Sequence, residues 1–411
     1  MENHKCKGMR DLVPDDMLRF RRIEDVFRTC CLNHNYQEVK TPTLEYLHLF
    51  TATGTLTPSM LGKVYSFLDW DGWSGERVVL RPDGTIPVAR LYVDNLSGCE
   101  TAKLFYVTNI FAFEETGKKT RERWQCGVEF LGGAKLAVDA EIISLAREVV
   151  HKLGLSDIRL QLSHAGLVKA LIKELKLDAS REAEVVSRVL DGDWRALQQV
   201  NSANDELNKF LYPLLNLKGK SAAFLQNVKA LCLQASPGFK ASLEDFISIT
   251  ALLDSLGCRY ETDITAIRNF EYYTGVCFQL LDNGERIGGG GRYDGLIPLM
   301  GDRNTPACGF ALYIDPIMKL LPWDNKQKSV ILIAAGEPTP EVVKRCFTLA
   351  QSLRDAKHVA EVDFSGRERS DYRWLVSISE KDPTRFTITD CERKQQRHVA
   401  SPSEVLSVVG G

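Results

Sequence analysis

Two helical stretches bracket a set of short strand-like runs in the first 153 residues, and this order constrains the fold more than any other feature. The first helix opens on Asp15 and Asp16, where the helix dipole favours negative charge. Phe20, Ile23, Phe27, Cys30 and Cys31 then recur at helical spacing and form one apolar face. The second runs from about Val138 to Leu153, with Ile142, Ile143, Ala146, Val149 and Val150 on its inner side. Between them lie Val78–Leu80, Lys103–Thr108 and Cys126–Leu131, apolar runs separated by charged turns. Helices around strands joined by tight turns predict an α+β layer with an antiparallel sheet, not a βαβ series.

From about Ala165 to Leu256 the pattern is rich in Leu, Ala and Lys with few β-branched runs, which reads as a helical insertion. Strand character returns at Tyr273–Leu281, followed by the turn residues Asp282, Asn283 and Gly284. The glycine run Gly288–Gly291 fits either a bend between strands or backbone that approaches a ligand closely, and Arg292–Gly295 after it reads as a shaped turn. Its spacing and context do not match a dinucleotide-binding loop. Leu321–Asn325 reads as a linker, after which Val330–Ala334, Glu341–Asp355 and Val359–Phe364 give a strand, helix and strand. The expected domains are therefore 1–322, with the helical insertion at about 165–256, and a small α/β domain over 326–411.

A formal charge of -2 supplies no overall basic field to attract nucleic acid. The eleven cysteines form no CxxC pair and no metal-like Cys/His spacing, which suggests reduced thiols. No run approaches the roughly 20 apolar residues of a membrane span, and the first residues lack an apolar signal core. Together these point to a cytoplasmic chain with no membrane association, no metal and no cofactor.

Six stretches, in order, resemble class II aminoacyl-tRNA synthetases and the histidyl-tRNA synthetase family in particular. They are Gly8–Pro14, Leu80–Thr85, Phe111–Glu114 with Gln125–Glu129, Arg268–Gly275, Gly289–Leu296 and Ala307–Leu312. The resemblance implies a class II synthetase-like antiparallel sheet flanked by helices, a dimer, and a last domain similar to a shortened anticodon-binding module. It also implies a histidine pocket. Asp83, Thr85 and Gln125 would face the ammonium, Glu129 and Tyr273 the imidazole, with Tyr272 closing the pocket and Arg268 holding the carboxylate. Charge-assisted hydrogen bonds of this kind contribute about 1.5–3 kcal/mol each. The family usually has glutamate where Asp83 stands, and one methylene less draws the carboxylate back by about 1.5 Å. The same residues also fit a pocket kept only as inherited packing.

The family activates its amino acid with two arginines that neutralise the triphosphate. At the matching positions this chain has Ala112 and Pro316, with Tyr313 in place of a glycine. Losing one such contact costs on the order of 3 kcal/mol, or about a hundred-fold in rate. Lys118, Lys119, Arg121 and Arg123 remain in the second motif's loop and read as solvated charges. No catalytic residue is therefore expected. A synthetase body with a kept histidine pocket resembles the family of ATP phosphoribosyltransferase regulatory subunits, as does Leu162–Leu167. His164 within that stretch reads as a core residue. That resemblance implies a short-form ATP phosphoribosyltransferase catalytic subunit as partner, L-histidine as effector and a self-dimer within a hetero-oligomer, with no use of tRNA. The alternatives are a divergent active histidyl-tRNA synthetase and a non-catalytic tRNA-sensing module.

Overall fold

A computed structural model describes residues 5–53, 56, 58–70, 75–113, 120–190, 193–198, 218–231, 235–266, 272–301, 304–321, 330–335, 339–363, 372–379, 382 and 385–410. Arg268, Glu114, Lys118, Lys119 and the linker residues 322–325 lie outside this set. The chain divides into two compact units, Met1–Leu321 and Pro322–Gly411.

The strands of the first unit are β1 (Gln37–Glu38), β2 (Leu44–Tyr46), β3 (Ser66–Trp70), β4 (Gly75–Leu80), β5 (Ala102–Phe111), β6 (Glu122–Leu131), β7 (Arg159–His164), β8 (Lys218–Gly219), β9 (Glu261–Asp263), β10 (Val276–Asp282), β11 (Glu285–Arg292) and β12 (Ala307–Tyr313). Nine of them form one sheet in the order β1-β5-β6-β12-β11-β10-β7-β9-β8. From β5 through β7 every pair is antiparallel, as expected, whereas β1 joins β5 and β9 joins β7 in parallel. A separate three-stranded antiparallel sheet has the order β2-β4-β3.

The helices are α1 (Pro14–Asn33), α2 (Leu47–Ala52), α3 (Thr85–Leu91), α4 (Lys135–Lys152), α5 (Ala165–Glu174), α6 (Ala179–Leu190), α7 (Arg195–Gln198), α8 (Ala222–Leu231), α9 (Pro237–Ser255), α10 (Leu296–Met300) and α11 (Ile314–Leu320). α1 starts on a proline whose fixed φ suits the first turn, and it buries Phe20, Ile23, Phe27, Cys30 and Cys31 as its spacing predicts. α4 buries Ile142, Ile143, Ala146, Val149 and Val150 on its inner side. Within 165–256 the described residues are helical apart from β8 and short turns, and α5 and α9 bury Val168, Leu171, Phe239 and Phe246 in the same core as the main sheet. His164 is a core residue. Its Nδ1 accepts from Leu167 N at 3.1 Å and so caps α5, and its Nε2 lies 3.1 Å from Asp245.

The glycine run is not a bend. Gly288–Gly291 lie inside β11, paired on one side with β10 and on the other with β12. Glycine is a weak strand former. Here two flanking strands supply the backbone partners, and large side chains use the space that the missing Cβ atoms leave.

The second unit has β13 (Val330–Ala335), α12 (Pro340–Asp355), β14 (Ala360–Asp363), β15 (Tyr372–Ile378), β16 (Phe386–Asp390), β17 (Gln395–Val399) and α13 (Pro402–Val409). Its sheet order is β14-β13-β15-β16-β17, parallel among β14, β13 and β15 and antiparallel beyond. Its two helices open on a hydroxyl followed by proline, Thr339-Pro340 and Ser401-Pro402, each with the side chain accepting a first-turn N–H. The tail beyond β14 holds strands and one short helix, with no second long helix among its described residues.

Candidate ligand-binding site

A cavity of about 730 Å³ opens over the face of the main sheet, within the volume range of small-molecule sites. Asp83, Thr85, Gln125, Tyr272 and Tyr273 are all on its wall. Asp83 and Thr85 come from the turn into α3, Gln125 from β6, and the two tyrosines from the segment just before β10.

Glu129 is not on the wall but one layer beneath it. It is buried to 1% exposure on β6 and accepts hydrogen bonds from the hydroxyls of Tyr106 (3.2 Å) and Tyr293. Tyr293 itself lines the cavity, so it connects Glu129 to the ligand space. This packing depends on glycine at two strand positions. A Cβ at Gly309 would overlap the Glu129 carboxylate, and one at Gly127 would overlap the Tyr106 ring.

The two carboxylates have unusual proton affinities. Burial pushes Glu129 up to about 8, against the hydrogen bonds from Tyr293 and Thr85, and the nearby charge of Asp83 adds to the rise. Burial also raises Asp83, opposed by backbone N–H groups of Ile86, Thr85 and Gly84. Ile86 N donates to Asp83 Oδ1 at 3.0 Å, so the short side chain is tied to the first turn of α3. A ligand cation placed here would be met by two buried carboxyl groups that gain most when they ionise. Tyr272 and Tyr273 pack with ring centroids 4.4 Å apart, and Tyr272 lies 5.8 Å from Tyr293. Burial raises both of their phenols above the ordinary value, which keeps them neutral.

Ala112, Tyr313 and Pro316 also line the cavity. Pro316 sits in the first turn of α11, where a proline is tolerated. Its neighbour Asp315 pairs with Arg10 and accepts from Trp124 N at 3.1 Å, which ties the N-terminal segment to α11. Of the second motif's loop charges, the described Arg121 and Arg123 are not simply solvated as expected. Arg121 lies 4.6 Å over the Phe113 ring and donates to the Tyr65 hydroxyl at 3.2 Å, and Arg123 is on the cavity wall. An arginine beside aromatic rings gains from stacking, which a count of loop charges does not reveal. Sequence reasoning also missed Arg286, Lys63 and Lys319 on the wall. Among the described residues, no cluster of three or more His, Cys, Asp or Glu side chains is arranged for a metal ion.

Residues 8–317 match the family model for histidyl-tRNA synthetase. At the level of whole chains, the ATP phosphoribosyltransferase regulatory subunit of Dehalococcoides mccartyi (strain ATCC BAA-2266) is 44% identical over 411 residues, spanning 99% of this chain and 98% of that one. The histidine–tRNA ligase of Thermococcus kodakarensis is 31% identical over 446 residues, 99% of each chain. A crystal structure from Bacillus halodurans, described as an ATP phosphoribosyltransferase regulatory subunit/histidyl-tRNA synthetase, superposes with a TM-score of 0.79 at 25% identity, covering 92% of this chain and 98% of that one. The chain belongs to the histidyl-tRNA synthetase family, in its branch of ATP phosphoribosyltransferase regulatory subunits.

Proposed function

We propose that this chain is the non-catalytic regulatory subunit of an ATP phosphoribosyltransferase and that it binds L-histidine in the cavity above Glu129. One observation carries the reading. The cavity keeps buried carboxyl groups suited to an ammonium and an imidazole, while Ala112 and Pro316 bring no charge to its wall. Asp83, Thr85 and Gln125 take the ammonium, and Glu129, through Tyr293, takes the imidazole with Tyr272 and Tyr273. Arg268 remains a candidate for the carboxylate. An aminoacyl-adenylate reaction needs cations at the α-phosphate, and Ala112 and Pro316 replace the arginines that the family places there.

The partner is a short-form ATP phosphoribosyltransferase catalytic subunit, which this chain activates and makes sensitive to L-histidine in the first step of histidine biosynthesis. Histidine acts by binding one conformation of the complex better, with a coupling of about 1–3 kcal/mol. The complex assembles in the cytoplasm. No helix among the described residues is long and apolar enough to cross a membrane. Leu44, Tyr46 and Phe67 share one face of the three-stranded sheet and are exposed, and they offer an apolar surface for self-dimerisation. The second unit serves as a shortened anticodon-binding-like domain without tRNA.

Co-purification with a short-form catalytic subunit tests the assignment, followed by an assay of ATP and phosphoribosyl pyrophosphate condensation with and without histidine. Condensation that requires this chain and falls with histidine is expected. Condensation indifferent to both overturns it. The likeness to histidine–tRNA ligases across the whole chain favours a second reading, a divergent synthetase. Histidine-dependent ATP–pyrophosphate exchange by the purified chain would establish that second reading.

A further inference from the structure

Arg286 brings to the cavity wall a guanidinium that makes no ion pair among the described residues. It stands near the start of β11, where the pairing with β10 slips. Leu281 faces Arg286, Leu280 faces Gly288, and Ile287 is the extra residue. A bulge of this kind re-aims a side chain. The guanidinium here lies across Gly289, where a Cβ would come within 2.9 Å of Nη2. Nε reaches Gly288 O at a long 3.4 Å, and the charged carbon lies 5.6 Å from the Tyr313 ring centroid. Its neighbours Tyr272 and Tyr273 are neutral and do not cancel its charge.

Arg81 and Arg292, buried arginines of the same unit, are treated differently. Arg81 spends its donors on Thr41 O, Pro42 O, Asn109 O and Asn109 Oδ1. Arg292 is paired with Asp139 at 2.7 Å and Asp294 at 2.9 Å. A guanidinium on a cavity wall without a counter-charge gains when an anion completes it. Arg286 lines the same cavity as Asp83 and Gln125.

We propose that Arg286 reads the carboxylate of the ligand and makes this cavity selective for an α-amino acid over the corresponding amine. The assignment rests on the cavity being a histidine pocket, and it names a specificity residue that this reading does not contain. The planar fork matches a carboxylate in two-point contact, while the buried acids take the cationic groups.

Calorimetric titration of the full chain with L-histidine and with histamine, which lacks only the carboxylate, tests the proposal. The wild-type protein should prefer histidine by about tenfold to a hundredfold. In Arg286→Met, histidine affinity should fall to that of histamine, while histamine binds as before or more tightly. Arg286→Lys keeps the charge without the fork and should retain part of the preference, so the test survives if the methionine variant does not fold. An undiminished preference in a folded Arg286→Met protein overturns the assignment and leaves the histidine pocket standing. Loss of preference in Arg268→Met alone gives the role to Arg268. Failure of the wild-type chain to bind either ligand removes the histidine reading, and this assignment with it.

Discussion

Tyr293 donates its hydroxyl to Glu129 in a buried pair that joins the turn after β11 to the C-terminal part of β6. Tyr106 approaches the same carboxyl group from β5, and Gly309 of β12 leaves the space it fills. Four segments of the fold thus converge on one acid. Its proton is held to about pH 8 by burial, with two phenols beside it. The cavity above it is prepared for a cation in a way that an ordinary, solvated glutamate would not be.

That elevated proton affinity has a direct consequence for stability. A carboxyl group that binds its proton more tightly when folded stabilises the fold fully below its unfolded value of 4.5. The contribution is lost as pH rises toward about 8. A tenfold change in proton affinity corresponds to about 1.4 kcal/mol, so the loss is on the order of a few kcal/mol. Glu129→Gln keeps the shape and cannot ionise. Chemical denaturation from pH 5 to pH 9 should show the variant gaining on the wild type as pH rises, and parallel curves would contradict the stated environment of Glu129.

Ligand binding should move the same proton. The ligand's ammonium near Asp83 and Glu129 favours their ionised forms, so histidine binding near neutral pH, with its imidazole remaining neutral, should release protons. Titration in buffers of differing ionisation enthalpy measures the number released. Release that is present in the wild type and reduced in Glu129→Gln is expected, and equal release in both would assign the proton elsewhere.

Arg292 and Asp139 form a buried ion pair at 2.7 Å, with both side chains almost fully enclosed. Removing one member leaves a charge without its counter-ion, and Arg292→Met should cost about 3–5 kcal/mol. Arg292→Met with Asp139→Leu should recover much of that loss in thermal unfolding. A double variant no more stable than the single one would show that the arginine acts through its bond to Lys135 O or Asp294 instead.

Much of this architecture is legible in the residues because local periodicity and tertiary burial agree. The face formed by Phe20, Ile23, Phe27, Cys30 and Cys31 is the buried face of α1. Val330–Ala335, Pro340–Asp355 and Ala360–Asp363 form the parallel unit their pattern predicts. The glycine run is ambiguous in sequence because its strand is imposed by β10 and β12, two partners whose pairing no local propensity encodes. The cavity wall is legible where a motif names the residue, as at Asp83, Gln125 and Tyr272. Arg286 lies between motifs, and a bulge rather than strand alternation sets its direction. Glu129 is legible as a polar residue on a strand, but its depth beneath Tyr293 follows from how the surrounding strands assemble.

The most direct test of the account is a histidine inhibition curve for the assembled complex with a short-form catalytic subunit, comparing the wild-type chain with Glu129→Gln. If this cavity is the sensor, losing the ionisable group behind Tyr293 should raise the half-inhibiting histidine concentration by about tenfold or more. An inhibition curve unchanged by Glu129→Gln would contradict the account and place the sensing site elsewhere in the complex.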